Sequence, residues 1–445
     1  TAAPTATAPT STLSETLRCP NYLLQNWWAE RCSGAGTGSA TSQPYFPPSH
    51  SSGAPWETIS PSAAGFDADA LAGLADSVQA SNLSRTFLIL SGGRIVWESC
   101  WGPASTGTDS AFYWASGLKS FTSAATLAAI GAGRFTQADN VSSILGPGWA
   151  GGGATTTVED AITVGDLLRM TSSLLDGGAV DPAGPGGAWN YAPYYGALLE
   201  AMSVALGLGS GVGSYQPPPA NLANGSAWAG AMQALLYGAV GASPNAYFVQ
   251  GTGDAEWAQF WAPARTGARL GHLMLQGGSW DGTQLVPADL VAASTRASQP
   301  FNPAYGLLWW LNDVPWYLDP QGVNVSGPPI PSLPPDTYAA VGAFSQLIVV
   351  VPSWDVVVVR NGCPTSSSAL VPFQLLIDIG AQLSAARRVP PSPPSQPPPQ
   401  LPTTAAPTAT APTSTLSETL RCPNYLLQNW WAERCSGAGT GSATS

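Results

Sequence analysis

The stretch FYWASGLKSFTSAATLAAIGAGRF, residues 112–135, contains Lys119, the one lysine of the chain; every other basic side chain among the 15 is arginine. KSFTSAATLAAIGAG reads as a buried helix, and Ser116 and Lys119 stand at i and i+3 near its start, a spacing that puts both on one face. A serine hydroxyl is a weak nucleophile until a base takes its proton. A lysine amine is such a base once burial disfavours its charged form. Arginine, with a pKa above 12, is not. That is a physical reason for one lysine in a chain that otherwise uses arginine. The backbone N–H of Ser116, at a helix start, would face a developing oxyanion. Two plainer readings stand beside this one: Ser116 as a helix cap and Lys119 as a surface residue that buries only its stem.

Composition removes several function classes. The 445 residues carry a net charge of −11 and only 9% charged side chains. Nucleic-acid phosphates call for a basic surface, and anionic membranes do too. No apolar run approaches the roughly 18–20 residues of a membrane span. The two histidines, His50 in a Pro/Ser-rich stretch and His272 inside the helical pattern ARLGHLML, do not suggest a Ser-His-Asp triad. None of the six cysteines forms a C-x-x-C pair, so a zinc site is not expected, and acylation of a serine activated by a lysine calls for no metal or organic cofactor.

The ends of the chain have their own organisation. Residues 1–42 recur letter for letter at 404–445. Identity over that span reads as recent duplication within a tandem array, or as an artefact of the gene model. The repeated core LRCPNYLLQNWWAERCSG pairs Cys19 with Cys32, and in the second copy Cys422 with Cys435, around two tryptophans. It is read as a small Cys/Trp module, a spacer or a presenter of aromatic side chains. A linker over 43–53 follows. RVPPSPPSQPPPQLPT, 388–403, is a polyproline spacer, similar to the Ser-Pro-rich segments of algal and plant extracellular glycoproteins. With the paired cysteines and four Asn-x-Ser sequons at Asn82, Asn140, Asn224 and Asn324, it points to secretion. The Thr at position 1 and the lack of a signal peptide suggest a fragment or processed chain.

Residues 54–387 form the large domain. GFDADALAGLADSVQAS is a helix capped by Asp67, and TFLILSGGRIVWESCWG is a hairpin turning at Ser91-Gly92-Gly93. Residues 117–300 are mostly helical patterns, AYGLLWWLN, SQLIVVVP and DVVVVRNG are strand-like, and SALVPFQLLIDIGAQLSAA closes as a helix. The expected fold is α+β: an antiparallel sheet built from both ends of the domain, flanking helices and an inserted helical subdomain. Cys100 and Cys363, at the ends of strand-like runs, are a further candidate disulfide.

Several segments, in order, resemble the serine β-lactamase/penicillin-binding-protein-like family, in the branch of class C β-lactamases, carboxylesterases and 6-aminohexanoate-oligomer hydrolases. FLILSGGRIVWESCWG resembles its opening hairpin and FYWASGLKSFTSAATLAAIGAGRF its Ser-x-x-Lys helix. ITVGDLLRMTSSL (162–174), PGGAWNYAPYYGALLEA (185–201) and ARTGARLGHLMLQGGSWDGTQLVP (264–287) resemble three later segments, and SQLIVVVPSWDVVVVRNG its closing hairpin.

The resemblance implies a β-lactamase/DD-peptidase-like fold with Ser116 as acylated nucleophile, Lys119 as base and Tyr191 as proton relay, its phenol lowered beside a cation. Tyr194 and Tyr195 are nearby decoys. It implies an oxyanion hole from the N–H groups of Ser116 and Ala343, less readily Phe344, and a pocket lined by Trp114, Trp189, Gly342 and Phe344. Two departures matter: Pro193 stands where the family carries Asn, and Ala340 where it carries Lys or His. Both speak against β-lactam hydrolysis, and Ala340 speaks against a DD-peptidase. The expected function is an extracellular serine hydrolase acting on a neutral small-molecule ester or amide. The alternative is an inactive structural or binding module, with extracellular-matrix or cell-wall components as partners.

Overall fold

A computed structural model of the chain describes residues 44–81, 84–102, 106–150, 156–175, 179–209, 227–249, 259–362 and 372–388. Cys19, Cys32, Cys363, Cys422, Cys435, Asn82, Asn224 and both copies of the repeat lie outside these ranges. The chain divides into two units, Thr1–Pro44 and Tyr45–Ser445, and all the elements below belong to the second.

Among the described residues thirteen strands follow one another: β1 (Ser84–Ser91), β2 (Arg94–Cys100), β3 (Phe112–Tyr113), β4 (Tyr247–Val249), β5 (Gln259–Ala262), β6 (Ser279–Trp280), β7 (Thr283–Gln284), β8 (Trp310–Leu311), β9 (Trp316–Leu318), β10 (Asn324–Ser326), β11 (Tyr338–Gly342), β12 (Gln346–Val351) and β13 (Val356–Gly362). The main sheet is antiparallel, in the order β2-β1-β13-β12-β11-β8. β1 and β13, nearly 270 residues apart in sequence, lie side by side with Leu88 opposite Val359. Every residue of β12 and β13 is buried, as expected of central strands covered on both faces.

The helix Ala68–Ala80 is capped by Asp67, whose side chain accepts from the Ala70 N–H at 2.9 Å. It packs with the closing helix Pro372–Ala386 on one side of the sheet. The helix Ala264–Leu275 packs on β1, β12 and β13. It presents Gly271 there, where a Cβ would run into Val357 and Ile348. The long insert carries the helices Leu118–Gly131, Val164–Arg169, Gly196–Ala205 and Ala227–Met232.

The architecture agrees with the expected α+β fold, with two differences. The insert also holds a three-stranded sheet, β3-β5-β4, whose strands are too short to show a period-2 pattern. And the stretch read as a linker, 43–53, packs on the domain from Tyr45 onward. The buried Arg269 guanidinium donates to the carbonyls of Pro48 and Val240, both at 2.6 Å, and of Pro47 at 3.3 Å. His272 bonds the Tyr45 carbonyl at 3.0 Å. A buried cation without a carboxylate takes carbonyl oxygens instead, and the arm supplies them.

A buried polar network closes the far end of β12 and β13. Gln346 donates to the Gly362 carbonyl at 2.7 Å and accepts from the Gly362 N–H at 3.0 Å and from Asn361 at 3.1 Å. Thr86 donates to Asn361 at 3.2 Å, tying in β1. Replacing Gln346 by Leu orphans several of these groups at once. The expected loss is about 2–3 kcal/mol, read as a lower urea midpoint at unchanged m.

Candidate active site

Ser116 sits on a sharp turn whose shape follows from its neighbours. Trp114 is fully buried. Its backbone N–H donates to Phe260 at 2.9 Å and its indole N–H to Ala262 at 3.1 Å, so it is anchored twice to β5. Ala115 then takes φ 47°, a left-handed conformation rare for a residue with a Cβ. The Gly117 N–H closes the turn on the Trp114 carbonyl at 2.8 Å, and the helix Leu118–Gly131 begins. Ser116 is left half-buried at the apex. The helix is buried through Ala129. Its small hydroxyls are used as ties: Ser120 donates to Leu308 at 2.7 Å and Ser123 to Leu307 at 2.6 Å.

Burial on all sides gives the Lys119 side chain one direction. It is 5% exposed, and its Nζ donates to Ser116 Oγ at 3.1 Å. The nitrogen lies 4.3 Å from the ring centre of Tyr191 and 4.5 Å from that of Tyr195, within cation–π range of both. The structure thus brings Ser116, Lys119 and Tyr191 together. It adds Tyr195, set aside as a decoy on sequence. Tyr191 and Tyr195 stand four apart across a short turn, Pro193–Tyr195, that opens the helix Gly196–Ala205. That i, i+4 spacing was the signal available for Tyr195.

The phenol of Tyr191 departs from expectation. Burial pushes its pKa up to about 12, while hydrogen bonding to Ser116 and Trp310 pulls the other way. Desolvation outweighs any lowering by a neighbouring cation, and Tyr191 is a neutral phenol at neutral pH. Burial likewise raises Tyr113 to about 12 and raises Tyr195 and Tyr305.

Trp310 and Tyr305 belong to this cluster too, with ring centres 5.8 and 6.0 Å from Tyr191. Sequence reading missed both. The Trp309-Trp310 pair was visible, but an aromatic pair in a strand-like run reads as core.

The two tryptophans expected as pocket walls stand elsewhere. Trp114, at 0% exposure, packs edge-on against Phe121 at 5.1 Å and backs the Ser116 turn. Trp189, 6% exposed, packs behind Tyr191 on Tyr305 and Trp310, and its buried indole N–H has no hydrogen-bond partner among the described residues.

Gly342 ends β11 against the Ser116 turn. A Cβ there would overlap the Trp114 carbonyl oxygen and stand 2.8 Å from the Gly117 nitrogen, so only glycine permits this approach. Ala343 and Phe344 follow, both half-buried, with Phe344 at φ 63°. Ala340 is buried opposite Ile348 and offers a methyl group. Pro193 opens the turn that carries Tyr195. Cys100 has no disulfide among the described residues, and Cys363 lies outside them.

The Beta-lactamase family model matches residues 67–361, and the chain belongs to that family. No curated protein matches the chain. Among solved structures, a candidate 6-aminohexanoate-dimer hydrolase from Bacillus anthracis aligns with TM-score 0.52 and 16% identity, over 82% of this chain and 95% of that one. A candidate beta-lactamase from Bacteroides dorei DSM 17855 aligns with TM-score 0.52 and 14% identity, over 72% and 99%. EstCE1, a hydrolase with promiscuous acyltransferase activity, aligns with TM-score 0.51 and 14% identity, also over 72% and 99%. At such identities the likeness speaks for a shared fold.

The phenols carry a pH signature. Tyr113 and Tyr191 have folded pKa values of about 12, above the ordinary value near 10, so the folded state holds more protons between those limits. Their contribution to stability is complete below about pH 10 and is lost as pH rises towards about 12. The expected result is a Tm that falls steeply over that window, with tyrosinate absorbance appearing together with unfolding. Tyrosinate absorbance from these two side chains at pH 10 in the folded protein would contradict the burial argument.

Proposed function

We propose that the domain is a secreted serine hydrolase that cleaves a neutral ester or amide through an acyl-enzyme on Ser116. The observation that carries this reading is the buried Lys119 amine held 3.1 Å from the Ser116 hydroxyl.

In its neutral form Lys119 Nζ takes the Ser116 proton as Oγ attacks the substrate carbonyl. The N–H groups of Ser116 and Ala343 receive the oxyanion. Tyr191, a neutral phenol beside both groups, gives its proton to the leaving oxygen or nitrogen and recovers one from Lys119. The carbonyl re-forms and the acyl group stays on Oγ. Water, losing a proton along the same relay, then releases the acid and restores Ser116.

Ala340 stands where the family resemblance implies a lysine or histidine. A methyl there offers an anionic substrate no partner, which favours a neutral one. The same loss, with Pro193 in place of Asn, supports a second reading: an inactive module of an extracellular matrix or cell wall.

Ester turnover separates the two. With a p-nitrophenyl ester, wild type should hydrolyse the substrate and react with a fluorophosphonate. Ser116→Ala should lose at least about 10³-fold in kcat. Lys119→Arg, which keeps the charge but not the base, should lose about 10²–10⁴-fold. A folded wild type that neither turns over nor labels would favour the inactive module.

Secretion is read from the sequons and the proline-rich segment, and Asn324 is exposed on β10. Protein secreted by its native host should lose glycan mass from Asn324 on enzymatic deglycosylation. Unmodified Asn324 in that material would count against the secretory route.

A further inference from the structure

Arg360 lies in the middle of VVVVRNG and reads in sequence as a break in an apolar strand. In the structure it is fully buried on β13. Its guanidinium donates from Nη1 to the carbonyls of Phe344 and of Ser345, the latter at 2.9 Å. It donates from both Nε and Nη2 to Ser84 Oγ at 3.0 Å. Among the described residues no carboxylate pairs with it. Burial, together with the charge of Arg85, pulls its pKa down to about 9.

The carbonyls it holds belong to an unusual turn. Ala343–Ser345 joins β11 to β12, and Phe344 and Ser345 both have positive φ, 63° and 56°. Two successive residues with side chains in the left-handed region relax unless something holds them. At one end the turn is fixed by Gly342, pressed on the backbone of Trp114 and Gly117. At the other end Arg360 gathers the two carbonyl oxygens.

We propose that Arg360 is a positioning residue: it clamps the Ala343–Ser345 turn so that the Ala343 N–H stays aimed at the oxyanion that forms on attack by Ser116. This rests on the proposed hydrolase reading. The clamp acts from the side of the turn turned into the sheet, so Arg360 touches no substrate. Its unpaired positive charge also has the sign that a developing oxyanion needs. A merely structural cross-link between β1 and β13 would leave the chemistry of the folded protein untouched, and that difference is measurable.

The test uses the full chain with Arg360→Met, Arg360→Lys and Ser84→Ala. Three readouts serve: ester kinetics, thermal unfolding, and amide hydrogen exchange over residues 343–346. Arg360→Met in folded form should lose about 100-fold in kcat, the effect of a misaimed oxyanion donor, with KM within about threefold. Arg360→Lys, which keeps the positive charge and a donor but not the guanidinium fork, should recover part of the loss. Exchange at 343–346 should quicken in Arg360→Met more than elsewhere in the sheet.

If Arg360→Met does not fold, Ser84→Ala frees one side of the guanidinium and should lower kcat about 3- to 10-fold at unchanged KM. Folded variants with wild-type kcat, or a loss that only tracks the unfolded fraction, overturn the proposal. If wild type itself shows no Ser116-dependent turnover, the hydrolase reading falls and exchange alone decides the clamp. Local quickening at 343–346 upholds the clamp, and uniform exchange overturns it.

Discussion

A lysine amine inside a nearly wholly buried helix, 3.1 Å from a serine hydroxyl, is the constraint on which the rest of the site depends. An ammonium taken out of water without a partner costs several kcal/mol. Here the surroundings offset part of that cost. The Ser116 oxygen accepts a hydrogen bond, and two phenol rings face the nitrogen, each contributing about 0.5–2 kcal/mol if the amine is charged. Removing one neighbour therefore affects the others. The arrangement is small, mostly neutral and tightly packed, which suits the sparsely charged chain that encloses it.

Three of the eight described non-glycine residues with positive φ gather around the same point. Ala115, Phe344 and Ser345 all hold positive φ, each at about 1–3 kcal/mol. All three lie in the two turns that meet at Gly342. The first turn is held by the double anchor of Trp114 on β5, the second by the Arg360 guanidinium. Each strained residue is thus matched by a specific hydrogen-bonded tie reaching into a strand. The main sheet, through β13, and the three-stranded sheet of the insert, through β5, together frame a short, strained backbone segment that presents Ser116.

Much of this was legible in the residues. The Asp67 cap, the hairpin at Ser91-Gly92-Gly93 and the buried helix with Ser116 and Lys119 on one face follow from local rules. So does the unusual use of one lysine, and the order of segments pointed to the family. What was not legible is what depends on long-range packing. Trp114 and Trp189 look like pocket walls by proximity in sequence, but the β3–β5 pairing turns the first inward and the Tyr305–Trp310 cluster covers the second. Tyr191 was expected to be lowered by a cation, but burial raises it, and part of its aromatic surroundings, Tyr305 and Trp310, lies more than 100 residues away. The Tyr45–Ser52 arm resembled a linker because the need for its carbonyls lies in Arg269. Arg360 stayed hidden inside a strand pattern.

The account stands most directly on where the chain becomes acylated. Full-length protein would be treated with a fluorophosphonate, digested, and the adduct located by tandem mass spectrometry. The account predicts one stoichiometric phosphonyl adduct, on Ser116, absent when Lys119 is replaced by Arg. An adduct on another serine, or none on a protein with a cooperative unfolding transition, would contradict it.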